Sequence, residues 1–494
     1  MKNLWAELCR KKISIIMNKR SVRTFLIILF WLGLWQLGAW AVGNHILLVG
    51  PIQVFSALAR LLPEVDFWHS IITSFQTISF GFLAAFFAGI IAGSLAYAHP
   101  LVQEFLSPVV AFMKSVPVAS FVILALIWMG SRYLSVLIAF LVVFPVIYVQ
   151  TTAGLRSTDP ELLEMAQVFH ITGWRKYLGL YWPALLPYLV SSCRTALGMS
   201  WKSGIAAEVI GVPSGTIGEQ LYLSKIYLST AQLFAWTLVI ILASAGFERL
   251  FLFLLKRTGR ACFFLFGDAL PSPFSRAFPP APALQSTETE PHKNGAIYGL
   301  KAENLSKHFG SLSVLSQFQI QFSSRQPNCI MGPSGSGKTT LLRILAGLEP
   351  PDSGSVSKTG VWPEGRQASS ILTAVVFQEN RLCESFSAVG NIRMAVPSLS
   401  RAQIIQELTR LLPKEAITRP VSTLSGGMKR RTAILRALLA PSDMIIMDEP
   451  FTGLDQETKQ QVIQYIREKS NGKLLILSTH QEEDIRQIGG IRVL

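Results

Sequence analysis

Six runs of apolar residues, at about 24–42, 74–98, 108–129, 133–153, 184–207 and 232–255, are each long enough to cross a lipid bilayer as a helix. Backbone inside hydrocarbon has to satisfy its own hydrogen bonds, so this half of the chain is expected to be an all-α bundle of about six helices. Composition agrees: of 494 residues, half are hydrophobic and 15% are charged. The formal charge of +15 could suggest nucleic acid, but Lys and Arg concentrate beside the apolar runs, at 2–23 and 249–260. Positive charge retained on the cytoplasmic side accounts for them. No basic and aromatic surface motif accompanies the charge, so no nucleic-acid partner is expected.

With the basic 1–23 segment inside, six crossings return the chain to the cytoplasm at Lys256 and Arg257. The first run has an alternative as a signal peptide cleaved near Ala39-Trp40-Ala41, although its lead and its apolar stretch are long for one. The stretch before Arg23 suits the inner membrane surface. Residues 256–298 hold six prolines between Pro271 and Pro291 and read as an extended linker. From 299 to 494 strands alternate with helices, as in a soluble α/β domain. The cysteines (Cys9, Cys193, Cys262, Cys329, Cys383) are far apart and read as reduced, with neither metal nor disulfide spacing.

Within that domain Gly332, Pro333, Ser334, Gly335, Ser336, Gly337, Lys338, Thr339 and Thr340 fit the pattern G-x-x-x-x-G-K-[ST]. Glycines let successive N–H groups turn toward an anion, and the helix that follows adds its dipole. Lys338 supplies charge to the β- and γ-phosphates of ATP, and the Thr339 hydroxyl suits Mg²⁺. The flanks fit, with a short apolar strand at 327–331 and a helix over 341–348.

Further along, the apolar strand 443–447 runs into Asp448 and Glu449, acids suited to holding Mg²⁺ and polarising a water. The turn at 424–428, with Ser425, Gly426 and Gly427, opens a helix whose N-terminus suits a γ-phosphate. Gln378 ends an apolar strand at 374–377, and His480 ends another at 474–479. A lone Gln or His there is ordinarily a polar cap; the order and spacing of the whole set say more.

In that order the elements resemble the ATPase domain of ATP-binding-cassette (ABC) transporters. The resemblance implies that 424–428 is the signature motif, Gln378 the Q-loop residue and a Mg²⁺ ligand with Thr339 and Asp448, and Leu454-Asp455 the D-loop. It makes His480 the switch histidine beside the catalytic Glu449 and Lys338, and Phe309 the aromatic that stacks on adenine, with a core phenylalanine as the alternative. Two departures stand out: Met428 replaces the usual Gln, and Thr452-Gly453 replace Ser-Ala. Neither is expected to touch a reacting group. The chain ends soon after His480, so no C-terminal regulatory domain is expected.

Residues 161–187 resemble the EAA loop of binding-protein-dependent importers, short helices that dock into the ATPase. Glu164, Met165 and Ala166 stand for E-A-A, Trp174 and Tyr177 for its aromatics, and Pro183 and Pro187 for its prolines. The family's glycine is here His170, which tolerates positive φ poorly. With Ser200-Trp201 and Ala206-Ala207-Glu208 downstream, the membrane half resembles permeases of the nitrate, sulfonate and taurine type.

The resemblance implies a multidomain fusion, an all-α transmembrane permease at 24–255 followed by an α/β P-loop ABC ATPase at 299–494. It implies a homodimer in the inner membrane with a cytoplasmic ATPase, fed a small anion such as sulfonate, taurine or nitrate by an external solute-binding protein. The alternatives are a half-size exporter or a membrane-tethered ATPase that transports nothing. Lys202 and Glu208 fall in or near the fifth run, about 120° apart on a helix and so not paired, with Glu208 expected at the outer interface. Lys114 is similarly placed.

Overall fold

The computed structural model describes residues 2–44, 46–266, 297–333, 335–360, 362 and 371–493. The chain forms two compact units, Met1–Arg156 with Pro187–Leu255, and Ser157–Leu186 with Lys256–Leu494.

The first unit is helical. Val22–Val42, Val65–Ala98, Leu134–Arg156 and Thr230–Gly259 are long and apolar enough to cross a membrane. The expected span at 108–129 is instead a pair, Pro100–Ser115 and Val118–Met129, bent by 106°. Pro117 forces the break: it pushes Val116 to ψ 126 and offers no N–H to continue the helix. The run at 184–207 lies in one helix, Trp182–Gly211, which also carries Arg194, Lys202 and Glu208. Among the described residues four helices, or five if the bent pair is one span, are long and apolar enough by length and composition to cross, beside the roughly six runs of the sequence. Val65–Ala98 packs on Leu134–Arg156 through Gly81 and Gly89, where a Cβ would fall 2.5 Å from Val136 O and 2.9 Å from Ile147.

Glu208 is fully buried within the protein. Its Oε2 accepts from Ser74 Oγ at 2.6 Å and from Gly218 N at 3.1 Å; Thr77 Oγ1 and Ser135 Oγ each lie 3.4 Å from Oε1. Four donors replace the water that a buried carboxylate loses. Lys202 and Lys114 are exposed.

The second unit holds two sheets. The antiparallel one runs β2 (Leu312–Ser323), β1 (Tyr298–Phe309), β4 (Ser353–Gly360); the parallel one runs β5 (Thr373–Val376), β6 (Met444–Met447), β7 (Leu474–Thr479), β3 (Asn328–Met331), β8 (Ile491–Arg492). Strands β6 and β7 are covered on both faces, which is why their sequences are unbroken apolar runs. Tyr298 stitches the sheets, its hydroxyl donating to the carbonyls of Asp443 and Gly472.

The helices Pro160–Val168 and Gly173–Lys176 belong to this unit, and Met165, Ala166, Phe169, Ile171 and Leu180 share its buried core. One expectation changes: helix Thr230–Phe266 runs on where the linker was expected to begin. No proline interrupts it before Pro271, and 267–296, the proline-rich part, lies outside the described residues.

Candidate functional site

Strand β3 delivers the glycine-rich loop and helix Lys338–Leu345 carries the chain away from it. Gly335 and Gly337 take φ of 81° and 83°, the left-handed turn that brings N–H groups round. Ser334 lies outside the described residues. Lys338 is buried at 6% exposure, its Nζ donating to the carbonyls of Gly332 at 2.7 Å and Pro333 at 2.8 Å.

The acids come from the end of β6. Asp448 is buried and accepts from Thr339 Oγ1 at 2.8 Å and from Ser478 Oγ at 2.6 Å, while Ser478 Oγ also accepts from Glu449 N at 2.9 Å. Glu449 sits at φ 47°, a strained setting for a non-glycine residue. Its Oε1 lies 2.7 Å from His480 Nε2, and Thr452 Oγ1 donates to its Oε2 at 3.4 Å. The Thr452 departure thus does touch Glu449, contrary to expectation, because the turn after Pro450 folds back on the acid.

Lys338, Thr339, Asp448, Glu449 and His480 therefore gather at the C-terminal ends of β3, β6 and β7, where open parallel sheets bind ligands. Asp448 and Thr339 are hard oxygen donors on one side of the loop, a set that fits Mg²⁺ completed by phosphate and water. Among the described residues no cluster of three His, Cys, Asp or Glu competes for a metal.

Other expected residues stand apart. Gln378 follows β5 with an exposed side chain. Phe309 is 50% exposed at the end of β1, with Lys307 Nζ 5.4 Å from its ring, so it is not a core residue. Ser425 caps helix Gly426–Leu439, its Oγ accepting from Met428 N at 3.4 Å. That cap uses the main chain of Met428, so the loss of the usual Gln leaves it intact.

Sequence reading missed Arg430. Its guanidinium, 3% exposed, donates to the carbonyls of Phe377 (2.5 Å), Gln378 (3.0 Å), Asp448 (2.5 Å), Glu449 (2.7 Å) and Pro450 (3.2 Å). It ties the turn after β5 and the acid-bearing turn to helix Gly426–Leu439. Burial lowers its pKa to about 10, leaving it charged at neutral pH. Ser478 was missed too, although a small polar residue in an otherwise apolar strand was a visible signal.

At the docked loop, Glu164 meets two arginines. Arg343 Nη1 and Nη2 donate to Oε2 at 2.9 Å and Oε1 at 2.8 Å, and Arg381 Nη1 donates to Oε2 at 2.6 Å. The hydrogen bond from Arg343, against an opposing burial effect and with help from Arg381, holds the Glu164 carboxyl at about 2. Arg381 lies three residues past Gln378, stacks 4.0 Å over Phe377, and gives its carbonyl to Arg436 Nη1 at 2.7 Å. His170, at the family's glycine position, does take positive φ, 50°.

Residues 315–452 match the ABC transporter family, and 85–260 match the binding-protein-dependent transport system inner membrane component family. Curated relatives of this chain include ATP-binding proteins of both import and export systems. The sulfate/thiosulfate import ATP-binding protein CysA of Thermosynechococcus vestitus is 32% identical, over 38% of this chain and 59% of its own. The probable protein of that name in Chlorella vulgaris is 34% identical, over 34% and 73%; the Nod factor export ATP-binding protein I of Cupriavidus metallidurans is 34% identical, over 38% and 65%.

The chain thus spans between 59 and 73% of the length of these relatives. Among solved structures, a dimeric ATP-binding cassette in a post-hydrolysis state with ADP and Pi aligns at 25% identity and a TM-score of 0.34, over 38% of this chain and 90% of that one. The chain belongs to the ABC transporter family, with a permease domain of the binding-protein-dependent type and an ATP-binding cassette in one polypeptide.

Proposed function

We propose that the chain is an ATP-driven importer in the inner membrane, with its ATPase in the cytoplasm, working as a homodimer. The observation that carries this reading is the importer-type loop seated in the cassette, with Glu164 clamped by Arg343 and Arg381. ATP lies on the loop 332–340 with Phe309 against its adenine, and Lys338 faces its phosphates. Thr339 and Asp448, with Gln378 reaching in from the end of β5, would hold Mg²⁺, which would offset the phosphate charge.

Glu449, oriented by His480 and Thr452, polarises the attacking water. One chain carries one phosphate loop and one signature, so Ser425, Gly426 and Gly427 complete the site of a second copy. Gln378 reports nucleotide state to the Glu164 loop through Glu379 and Asn380, the two residues that separate it from Arg381.

The solute we propose is a small anion delivered by an external binding protein: sulfonate, taurine or nitrate by the permease likeness, sulfate or thiosulfate by the names of two relatives. Since import and export ATPases match this cassette about equally well, direction rests on the permease domain. Proteoliposomes containing the chain, a cognate binding protein and labelled sulfate, taurine or nitrate test it. ATP-dependent uptake is expected. Flux that needs no binding protein would favour an exporter, and hydrolysis with no flux of any solute would favour a tethered ATPase.

A further inference from the structure

His480 has an unusual support. Its ring is 41% exposed and reaches Glu449 Oε1, so packing around the ring does little to aim it. The backbone on either side is held instead. Lys459 and Asp484 form an ion pair with side chains 7% and 3% exposed. Lys459 Nζ also donates to Gln481 Oε1 at 2.6 Å, and Asp484 Oδ2 accepts from Thr479 Oγ1 at 2.5 Å, which in turn accepts from Gln481 N at 3.2 Å.

Thr479 and Gln481 are the two neighbours of His480. Lys459 Nζ further lies 5.8 Å from the ring centre of Phe451, two residues past Glu449. One buried pair therefore touches the segment that carries the histidine and the segment that carries its acid. Buried pairs add little net stability over apolar residues of the same size, so this one calls for another reason to be there.

We propose that Lys459 and Asp484 are positioning residues for His480, setting the histidine against Glu449 when the water is polarised. This rests on the reading of Glu449 and His480 as the hydrolytic pair. Lys459 is fixed for the task, lying in the first turn of helix Gln456–Lys469, which Asp455 caps by accepting from Thr458 N at 3.0 Å.

Because residues that act as a unit are non-additive, a double-mutant cycle reads the proposal directly. It is run on the full chain in detergent, with kcat normalised to the nucleotide-binding fraction. Lys459→Met is expected to lower kcat about tenfold with KM for ATP unchanged. In a His480→Ala background the same substitution should cost less than about twofold, and Lys459→Arg should keep wild-type kcat.

Equal fold losses in the two backgrounds, or no loss from Lys459→Met in the wild type, would overturn the proposal and leave the pair a structural element. A His480→Ala variant with wild-type kcat would instead remove the histidine from the reaction, and the proposal with it.

Discussion

Of the non-glycine residues in the left-handed region, His170 and Glu449 sit there for different reasons. His170 takes φ 50° where its family has glycine, a setting that costs an L-residue roughly 1–2 kcal/mol. His170→Gly should therefore raise stability by about 0.5–1 kcal/mol, part of the relief being offset by a freer unfolded chain. Thermal unfolding of the chain in detergent checks it, and an unchanged or lower midpoint would count against strain at this turn.

Glu449, at φ 47°, keeps its strain at the centre we propose for hydrolysis. Glu449→Gln preserves shape but not basicity, so ATP binding should persist while hydrolysis falls at least about 100-fold. Near-normal turnover would take Glu449 out of the reaction.

Glu164 adds a pH dependence. Its folded carboxyl is held at about 2 against 4.5 in a free chain, so the ionised form stabilises the docked loop above about pH 4.5, and that contribution is lost as pH falls toward 2. With the side chain 33% exposed, solvent screening leaves about 1 kcal/mol of it. Wild type should exceed Glu164→Gln by that amount at neutral pH and converge with it near pH 2 in acid unfolding. The acids at the ends of strands could be read from sequence because their chemistry is local. The arginines that hold Glu164 could not, being 179 and 217 residues from it along the chain.

At the level of elements, short helix Ile217–Ile226 is held by its own N-terminus. Gly218 N donates to Glu208 and Ile217 N to Ser74 Oγ at 2.9 Å, so a carboxylate and a hydroxyl meet the positive end of the helix. A Cβ at Gly218 would lie 2.1 Å from Glu208 Cβ and 2.5 Å from its backbone carbon, which no side-chain rotation relieves.

Gly218→Ala should cost about 2 kcal/mol or more, whereas Gly198→Ala, with nothing within 4 Å of the added methyl, should be neutral or mildly stabilising. Matched thermal midpoints for the two variants would mean that the helix does not pack on Glu208. Here sequence reading saw an ionisable residue near an apolar run but not its burial, because the donors Ser74, Thr77 and Ser135 look like ordinary helix residues. The proline break at Val116 was readable in principle: the residue before proline avoids helical geometry, and apolarity alone conceals that.

For the molecule as a whole, the decisive question is whether an ATP site needs two copies. Lys338, Thr339, Asp448, Glu449 and His480 converge within one chain, yet among the described residues no hydrogen bond joins 424–428 to 332–340. If the signature serves a second copy, two chains crippled in different halves should rescue each other. Lys338→Ala destroys the phosphate loop of one, and Ser425→Arg blocks the signature of the other, so each alone should be inactive.

A mixed dimer keeps one intact site, built from the phosphate loop of the Ser425→Arg chain and the signature of the Lys338→Ala chain. Random pairing makes half the dimers mixed with one working site of two, so about a quarter of wild-type hydrolysis should return if the sites act independently, and less if they are coupled. Complete absence of rescue in co-expressed, co-purified dimers would count against the two-copy arrangement.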